Sequence, residues 1–378
     1  MTKSPMARAL ALASRGRGNT SPNPMVGAVV VNARTGQILG EGYHHRAGEP
    51  HAELLALRQA GDQSRGQSLY VTLEPCNHTG LTPPCTDAVI AAQIRSVHVA
   101  VLDPNPKVSG GGIEKLRQAG ITVRVGEFAE AAYALNLPFF TWALYHRPLV
   151  ILKSAMSLDG KVATATGQSK YLTHAAALAL AHEQRRQADA ILVGLGTVLA
   201  DDPSLTYRGR RRGRDPVRVV LDSQGHTPPE ARLFHHESQA PSLVLTSDRA
   251  SRAWERDIFT AGGEVVRLPE DPSGRISLTA VMEELAERRL DRLLVEGGPT
   301  VHSAFIQAGL ADQWIGFLAP LIIGASGLSA VGGGYAWLSE APGLAIRKIR
   351  KLGEDGVIEA DFLASPVLQL PLSLVEEA

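Results

Sequence analysis

The chain has 378 residues, too many for one ordinary hydrophobic core, so two domains are the first expectation. Its 38 Lys and Arg residues balance 38 Asp and Glu residues, and zero net charge argues against a general nucleic-acid binder. Two cysteines cannot form a disulfide framework, which favours a reducing, cytoplasmic location. The apolar runs Met6–Ala13 and Ala131–Tyr145 are too short or interrupted for a signal peptide or a membrane span.

The first half of the chain alternates predicted strands and helices. Pro22 and Pro24 make residues 21–24 a loop, and Asp103-Pro104-Asn105-Pro106 is a polar loop past a strand end. The second loop is a plausible substrate-facing segment, although proline-rich loops are more often simple turns. The predicted strands span residues 26–31, 37–43, 68–73, 96–101 and 121–125, and the predicted helices span 6–15, 51–60, 85–92 and 113–119, with another starting at Glu127.

The second half repeats the alternation, which predicts a mostly parallel sheet. The boundary is expected near residues 145–149, giving domains 1–146 and 147–365 and a C-terminal tail at 366–378. Strands are predicted at 149–155, 190–194, 216–222, 243–246, 264–268, 292–296 and 313–319, and helices at 174–187, 250–260, 278–289 and 301–308.

Two glycine-containing turns follow predicted strands in this half. Gly194–Thr197 and Glu296–Thr300 would let the backbone approach a ligand, and the helix start after the second offers free N–H groups to a phosphate. A plain tight turn explains them equally well, and a Rossmann fingerprint is absent. Asp201-Asp202 is either a paired-carboxylate site or the end of a helix, and the arginine-rich run Arg208–Arg214 is interpreted as a solvated loop.

His51, Cys76 and Cys85 are candidate zinc ligands. They offer one nitrogen and two sulfur donors, a set that suits zinc. His-x-Glu followed by Pro-Cys and a second Cys is the signature of the zinc deaminases. Three protein ligands leave one position for water, which is typical of a catalytic site, whereas a structural site has four.

Glu53 is the predicted proton carrier, two residues after His51 in the first turn of a predicted helix. Zinc lowers the pKa of a bound water to roughly 7, so Glu53 would take the water's proton and pass it to the leaving amine. The alternatives are a helix-start carboxylate for Glu53 and two small core residues for the cysteines. The combined spacing favours the metal site.

Taken together, the motifs resemble one family over nearly the whole chain, the bifunctional deaminase–reductases of riboflavin biosynthesis. On the deaminase side the resemblance rests on Asn23-Pro24-Met25-Val26-Gly27, Gly42-Tyr43-His44, Ala47–Glu53, Leu73-Glu74-Pro75-Cys76, Thr82-Pro83-Pro84-Cys85 and Asp103–Pro106. On the reductase side it rests on Ser157-Leu158-Asp159-Gly160, Gly196–Pro203, Leu205-Thr206-Tyr207-Arg208, Asp222-Ser223 and Glu296–Thr300.

The resemblance implies a cytidine-deaminase-like three-layer α/β/α domain followed by a dihydrofolate-reductase-like α/β domain. The first would deaminate a diaminopyrimidinone ribosyl phosphate, and the second would use NADPH to reduce the ribosyl group to a ribityl chain. One zinc ion per chain and NADPH are the implied cofactors. The implied partners are this small-molecule substrate and further copies of the chain in a dimer or tetramer, with no nucleic acid and no membrane.

The resemblance also assigns roles to individual residues. It implies zinc ligation by His51, Cys76 and Cys85 and catalytic roles for Glu53 and Asp201. The implied substrate contacts are Asn23, His44, His78, Lys153, Ser169, Arg185, Leu205, Arg208 and Glu296. The implied cofactor contacts are Met156, Tyr171, Thr197, Ser223 and the run Gly298–Ala304, including Pro299 and Thr300.

Three positions depart from the family's usual residues. Leu81 replaces a Lys or Arg that would hold substrate phosphate, Tyr171 replaces a Trp, and Leu178 replaces an Arg. The departures at Tyr171 and Leu178 leave open the alternative that the chain is a deaminase joined to an inactive or accessory reductase. A nucleic-acid or free-base deaminase would share the zinc signature, but the zero net charge and the reductase motifs argue against it. A zinc-stabilised structural protein would need a fourth protein ligand.

Overall fold

The computed structural model describes residues 4–78, 83–105, 111–169, 172–209, 213–235 and 238–375. The chain divides into two compact units. One comprises Met1–His146 together with Val367–Ala378, and the other comprises Arg147–Pro366. Within the described residues, no helix combines the length and the apolar character needed to cross a membrane.

The N-terminal unit is built on a five-stranded mixed sheet. Its strands are β1 (Gly27–Val31), β2 (Ile38–Tyr43), β3 (Ser68–Val71), β4 (Ser96–Val99) and β5 (Thr122–Val125), in the order β2-β1-β3-β4-β5. β1 runs antiparallel to β2 and β3, whereas β3, β4 and β5 are parallel. The helices are α1 (Pro5–Ala13), α2 (Ala52–Ala60), α3 (Cys85–Ala91), α4 (Gly111–Gln118), α5 (Ala129–Leu135) and α6 (Leu137–Tyr145).

Glycines bring helices close to both faces of this sheet. A Cβ at Gly27 would lie 2.0 Å from the carbonyl oxygen of Ala9 in α1, and a Cβ at Gly40 would lie 2.2 Å from that of Ala56 in α2. Only glycine permits such close contact of backbones. Because these two helices cover opposite faces, the unit has the three-layer α/β/α arrangement expected from the sequence.

Two segments of this unit differ from the sequence-based expectations. The single helix expected from Glu127 is two helices, because Asn136 leaves the helical conformation and Pro138 lies in the first turn of α6. The segment expected to form a loose tail contains 3-10 turns at Pro366–Leu368 and Leu372–Leu374, and Val367 and Leu374 are buried. These side chains explain why residues after 366 pack instead of extending into solvent.

The C-terminal unit contains a nine-stranded, mostly parallel sheet, as predicted. Its strands are β6 (Leu149–Ser157), β8 (Ala190–Gly194), β9 (Val217–Leu221), β10 (Ser242–Thr246), β11 (Gly263–Arg267), β12 (Arg292–Val295), β13 (Gln313–Ala319), β15 (Leu344–Leu352) and β16 (Asp355–Phe362). The order is β11-β10-β9-β8-β12-β6-β13-β16-β15, and only the pairs formed by β16 are antiparallel. A separate ribbon joins β7 (Lys161–Ala163) and β14 (Leu328–Ser329).

Helices α7 (Ala175–Gln187), α8 (Leu195–Asp201), α9 (Arg252–Thr260), α10 (Leu278–Glu287) and α11 (Pro299–Gln307) complete this unit. One hydrophobic cluster of this unit includes Leu152, Leu192, Leu243 and Leu293 from the sheet. Asp312 fixes the start of β6 by accepting two hydrogen bonds of 2.7 Å from Arg147 and one from the amide of Val150. The carboxyl ends of the parallel strands then carry the residues that line a large cavity.

Candidate active sites

His51, Cys76 and Cys85 lie together in the N-terminal unit. His51 is the residue before α2, Cys85 is the first residue of α3, and Cys76 lies on the loop after β3. Their potential ligand atoms all lie within 4.8 Å of one another. The Nδ1 atom of His51 is 3.2 Å from the Cys85 sulfur and 3.6 Å from the Cys76 sulfur. One imidazole nitrogen and two sulfurs fit a zinc ion with one position left open.

The two sulfurs share a proton in the metal-free site. The hydrogen bond from the Cys85 thiol, helped by His51, lowers the pKa of Cys76 to about 4. The same hydrogen bond and burial raise the pKa of Cys85. The backbone N–H of Cys85 also donates to the Cys76 sulfur over 3.4 Å. A cation that binds here displaces the protons that remain on the three ligands.

Glu53 is buried beside this cluster, with 3% of its surface exposed. Burial raises the pKa of its carboxyl, and the charge of Cys76 adds to the effect, whereas His51 acts in the opposite direction. Its position in the first turn of α2 follows directly from the His-x-Glu spacing. A glutamate at the start of a helix interacts equally well with the helix dipole when it is exposed to solvent. The dipole therefore does not explain why Glu53 is buried beside three potential metal ligands, where burial of a carboxyl is costly.

Asn23 and His44 form a polar pair next to the cluster. The side-chain nitrogen of Asn23 lies 3.1 Å from Nε2 of His44, and Nδ1 of His44 lies 3.4 Å from the carbonyl oxygen of Pro50. The tautomer that satisfies both contacts carries its proton on Nδ1 and accepts from Asn23. Burial lowers the pKa of His44, and its ring meets that of His51 edge-on at 5.3 Å. His78 is exposed, and Leu81 lies outside the described residues.

Two further carboxylates shape this site and were not among the predicted site residues. Glu74 accepts hydrogen bonds from the amides of Gly112, Ile113 and Asp103, and the Asp103 carboxylate accepts from the amide of Asn105. Burial, with a contribution from Glu74, raises the pKa of Asp103 to about 7. Both residues belong to motifs that carry the family resemblance, but nothing local in those motifs indicates that a glutamate holds a helix start 38 residues away.

The C-terminal unit contains a cavity of about 1010 Å³ at the carboxyl ends of its parallel strands. Its walls include predicted site residues, namely Lys153, Ser169, Thr197, Asp201, Ser223, Glu296 and, from the run Gly298–Ala304, Gly298, Pro299, Thr300, Val301, His302 and Ala304. A Cβ at Gly196 would meet nothing within 4 Å, and one at Gly298 would meet only the Thr197 hydroxyl, at 3.8 Å. The backbone is therefore open to a ligand at both glycines, which fits a nucleotide cofactor.

Glu296 lies between two cations at one end of this cavity. Arg185 donates two hydrogen bonds to it, of 2.9 and 2.8 Å, and the Lys153 ammonium is 3.5 Å away. Burial alone would raise the pKa of Glu296, but Arg185 and Lys153 outweigh it and hold this pKa well below its usual range. Lys153 also lies over the ring of Phe317 at 5.7 Å. The three charged groups together carry one net positive charge.

Asp201 and Asp202 do not act as a pair. The Ser169 hydroxyl donates to Asp201 over 3.2 Å at the cavity wall. Asp202 adopts a left-handed conformation at the end of α8, and its carboxylate accepts from the amide of Arg232. The helix-end interpretation therefore applies to Asp202, whereas Asp201 lines the cavity.

Other predicted reductase residues lie elsewhere. Met156, Arg185, Leu205 and Arg208 are not among the described residues that line the cavity. Met156 and Leu205 are buried, Arg185 acts through Glu296, and Arg208 is exposed. Tyr171 lies outside the described residues, and Leu178 is exposed on α7.

Two charged lining residues, Asp271 and Arg275, were not predicted. Both lie in the loop between β11 and α10, where the Asp271 carboxylate accepts from the amides of Ser273 and Arg275. The sequence of this loop indicates only a turn, so no local signal connects it with the glycine-containing turns on the same cavity.

The fold and sites define a class of protein: a zinc-type pyrimidine deaminase unit joined to a reductase unit. Residues 2–101 match the family model for the cytidine and deoxycytidylate deaminase zinc-binding region, and residues 148–358 match that for the RibD C-terminal domain. These matches confirm the predicted fold class.

Relatives extend the match to nearly the full chain. The chain is 45% identical to the riboflavin biosynthesis protein RibD of Aquifex aeolicus, over 94% of this chain and 97% of that protein. It is 41% identical to RibD of Escherichia coli, over 93% and 96%. The structure of Acinetobacter baumannii RibD superposes with a TM-score of 0.86 at 34% identity, covering 95% of this chain and 98% of that one. The chain belongs to the RibD family of bifunctional riboflavin-biosynthesis deaminase/reductases.

Proposed function

We propose that this chain catalyses two consecutive steps of riboflavin biosynthesis. The N-terminal unit deaminates a diaminopyrimidinone ribosyl phosphate, and the C-terminal unit reduces the ribosyl group of the product to a ribityl chain with NADPH. The observation that carries the proposal is the buried Glu53 carboxyl beside His51, Cys76 and Cys85. In support, a relative from Thermotoga maritima, 38% identical, is described as a diaminohydroxyphosphoribosylaminopyrimidine deaminase/5-amino-6-(5-phosphoribosylamino)uracil reductase.

In the deaminase site, His51, Cys76 and Cys85 would hold one zinc ion. Zinc with three protein ligands supplies a water of lowered pKa in its open position. Glu53 accepts the proton of the attacking water and delivers it to the amine that leaves as ammonia, so that it ends the cycle in its starting state. Asn23 and His44 form a polar wall that would orient the pyrimidine through hydrogen bonds, and His78 remains a predicted contact.

In the reductase site, NADPH supplies the hydride. Reduction of the ring-opened, imine-like sugar adds this hydride to carbon and a proton to nitrogen, and Asp201 on the cavity wall is the proposed source of the proton. Lys153, held by Glu296, offers positive charge to the substrate from the same cavity. Thr197 and Gly298–Thr300 would hold the cofactor, and the free N–H groups in the first turn of α11 would suit a phosphate group. Arg185, Leu205, Arg208, Met156 and Tyr171 remain predicted contacts.

The choice of NADPH over NADH is supported by Arg275. This exposed arginine lines the cavity near Ser223, whose hydroxyl accepts from the amide of Ile276. In sheet order, Ser223 follows β9, whereas Lys153 and Glu296 belong to β6 and the end of β12. Arg275 therefore lines the cavity near the end of β9, and its guanidinium suits the additional phosphate that distinguishes NADPH.

We also propose that the chain forms a homo-oligomer. The edge strand β15 exposes Ile346 and Ile349, which are 60% and 67% accessible and lie on either side of Arg347 and Lys348. A long edge strand with exposed apolar side chains is prone to association with other chains unless it is covered. We propose that a second copy of this chain covers β15. Light scattering of the purified protein measures the oligomeric state directly.

A cytoplasmic location also fits two thiol ligands that must stay reduced.

The decisive experiment is an assay that follows the two steps separately. The diaminopyrimidinone ribosyl phosphate is offered with and without NADPH, and ammonia release and NADPH absorbance are recorded. We expect ammonia in both cases and NADPH oxidation only after deamination. Ammonia release without any NADPH oxidation would support the alternative of an inactive reductase. The position of Lys153, Asp201 and Glu296 on the wall of one cavity argues against that alternative. Efficient deamination of a nucleic acid by this chain would contradict the assignment of the diaminopyrimidinone ribosyl phosphate as its substrate.

A further inference from the structure

The N-terminal unit is not built from consecutive residues alone. Residues 367–375, termed the C-terminal segment, belong to it although they follow the whole reductase unit in sequence. Among the described residues, a hydrogen bond near each end attaches this segment to the unit. Their positions suggest a purpose beyond covering apolar surface.

The first contact lies at Val367. The Tyr133 hydroxyl donates a buried hydrogen bond of 2.8 Å to the Val367 carbonyl oxygen, and the Val367 side chain is fully buried. The Tyr133 ring packs against that of Phe140 at 4.7 Å, so the hydroxyl is presented by an aromatic pair from α5 and α6. This contact fixes where the C-terminal segment begins.

The second contact lies at Leu374 and reaches the loop that follows β4. The amide of Leu102 donates to the Leu374 carbonyl oxygen over 3.0 Å, and the Leu374 side chain is 3% exposed. By contrast, Leu372 in the same 3-10 turn is 87% exposed. The segment therefore buries one leucine and fixes the backbone of one particular residue, Leu102.

Leu102 is the residue before Asp103. The Asp103 amide donates to Glu74, and its carboxylate accepts from the amide of Asn105. Glu74 in turn is two residues before Cys76, one of the zinc-type ligands. A chain of hydrogen bonds thus runs from the Leu374 carbonyl through the Leu102 amide, and from the neighbouring Asp103 amide to the Glu74 carboxylate, close to the loop that carries Cys76.

We propose that the C-terminal segment is a positioning element for deamination: it fixes the loop of residues 102–105 beside the metal site for binding of the aminopyrimidine substrate. The inference rests on the proposed deaminase function of that site. Its consequence is that deamination depends on residues encoded after the reductase unit, so that the reductase unit is inserted, in sequence, within the deaminase unit.

The test uses full-length variants with a matched control. Leu374→Asp places a charge at the buried position, whereas Leu372→Asp makes the same change on the exposed side of the same turn. We expect Leu374→Asp to raise the deaminase KM by about tenfold, equivalent to roughly 1.4 kcal/mol, with unchanged zinc content and unchanged reduction of the deaminated substrate. Leu372→Asp should behave like the wild type.

A second variant guards against simple misfolding. Tyr133→Phe keeps the ring and removes the hydroxyl that donates to Val367, so a smaller rise in KM, about threefold, is expected. Hydrogen exchange at the Leu102 amide should accelerate in Leu374→Asp while that of α2 is unchanged.

An unchanged deaminase KM in Leu374→Asp would overturn the proposal, as would a parallel loss of zinc, which indicates a purely structural role. A wild-type chain that reduces the deaminated substrate but releases no ammonia would instead overturn the proposed deaminase function.

Discussion

The two units each bury a glutamate at their site, and the surroundings of the two carboxyls are opposite. Glu53 lies beside thiols and an imidazole, and burial raises its pKa. Glu296 lies beside Arg185 and Lys153, which hold its pKa down despite burial. A carboxyl whose pKa is raised can gain and lose a proton during a reaction, whereas one held between Arg185 and Lys153 stays ionised. The first glutamate is suited to moving protons and the second to holding other groups in place.

The largest expected effect is on catalysis at Glu53. Glu53→Gln keeps the shape of the side chain and removes its basicity, so ammonia release should fall by about 10³-fold while zinc content is retained. Ammonia assays and metal analysis of the same preparation measure both. Glu130→Gln, at an exposed position in the first turn of α5, is the control and should leave ammonia release unchanged. Retained activity in Glu53→Gln would contradict its role as proton carrier.

The next effect is on stability at Glu296. Glu296→Gln leaves Arg185 and Lys153 without their anionic partner in a buried place, so the C-terminal unit should lose about 3–5 kcal/mol of unfolding free energy. Denaturant unfolding, followed for each unit because the chain is not a single domain, measures the loss. Glu264→Gln breaks a more exposed pair with Arg288 and should cost less than about 1 kcal/mol. Equal losses in the two variants would show that the buried pairing contributes little.

The same contrast predicts opposite pH dependences in metal-free protein. Because the folded pKa of Glu296 is depressed, its stabilisation is complete above the ordinary carboxyl pKa of about 4.3 and is lost as the pH falls below it. Because the folded pKa of Glu53 is raised, its contribution is present below that value and is lost as the pH rises through the folded pKa. Unfolding of each unit between acidic and neutral pH, compared with the two glutamine variants, tests both signs.

The sequence predicted the deaminase site better than the reductase site, for a physical reason. His51, Glu53 and Cys85 lie where local signals start helices, namely Pro50 and Pro84, so spacing alone placed their side chains. The Lys153–Glu296–Arg185 group joins residues up to 143 positions apart, and only the resemblance to a family suggested its members. Local patterns do not encode such distant pairing.

The missed elements have the same origin. β15 reads Leu-Ala-Ile-Arg-Lys-Ile-Arg-Lys-Leu, and its mostly exposed side chains give neither a clean alternation nor a buried run. The burial of Val367 and Leu374 depends on a unit whose main stretch ends at His146, before the whole reductase unit. A pattern at the chain terminus could not indicate that partner, and the expectation of a loose tail followed.

The smallest expected effect is on the affinity for NADPH in the reductase cavity. Arg275→Gln removes a cation that lines the cavity beside Ser223, so we expect the NADPH dissociation constant to rise by about tenfold, as for loss of one charge-assisted contact, with little change for NADH. Titration of cofactor fluorescence measures both constants without turnover. Arg256→Gln, on the exposed face of α9, is the matched control. An equal weakening of both cofactors would show that Arg275 supports the cavity wall rather than selecting the phosphate. A wild-type chain that binds NADH more tightly would contradict the assignment and point instead to Asp271, the acid on the same loop, as a partner for a free ribose hydroxyl.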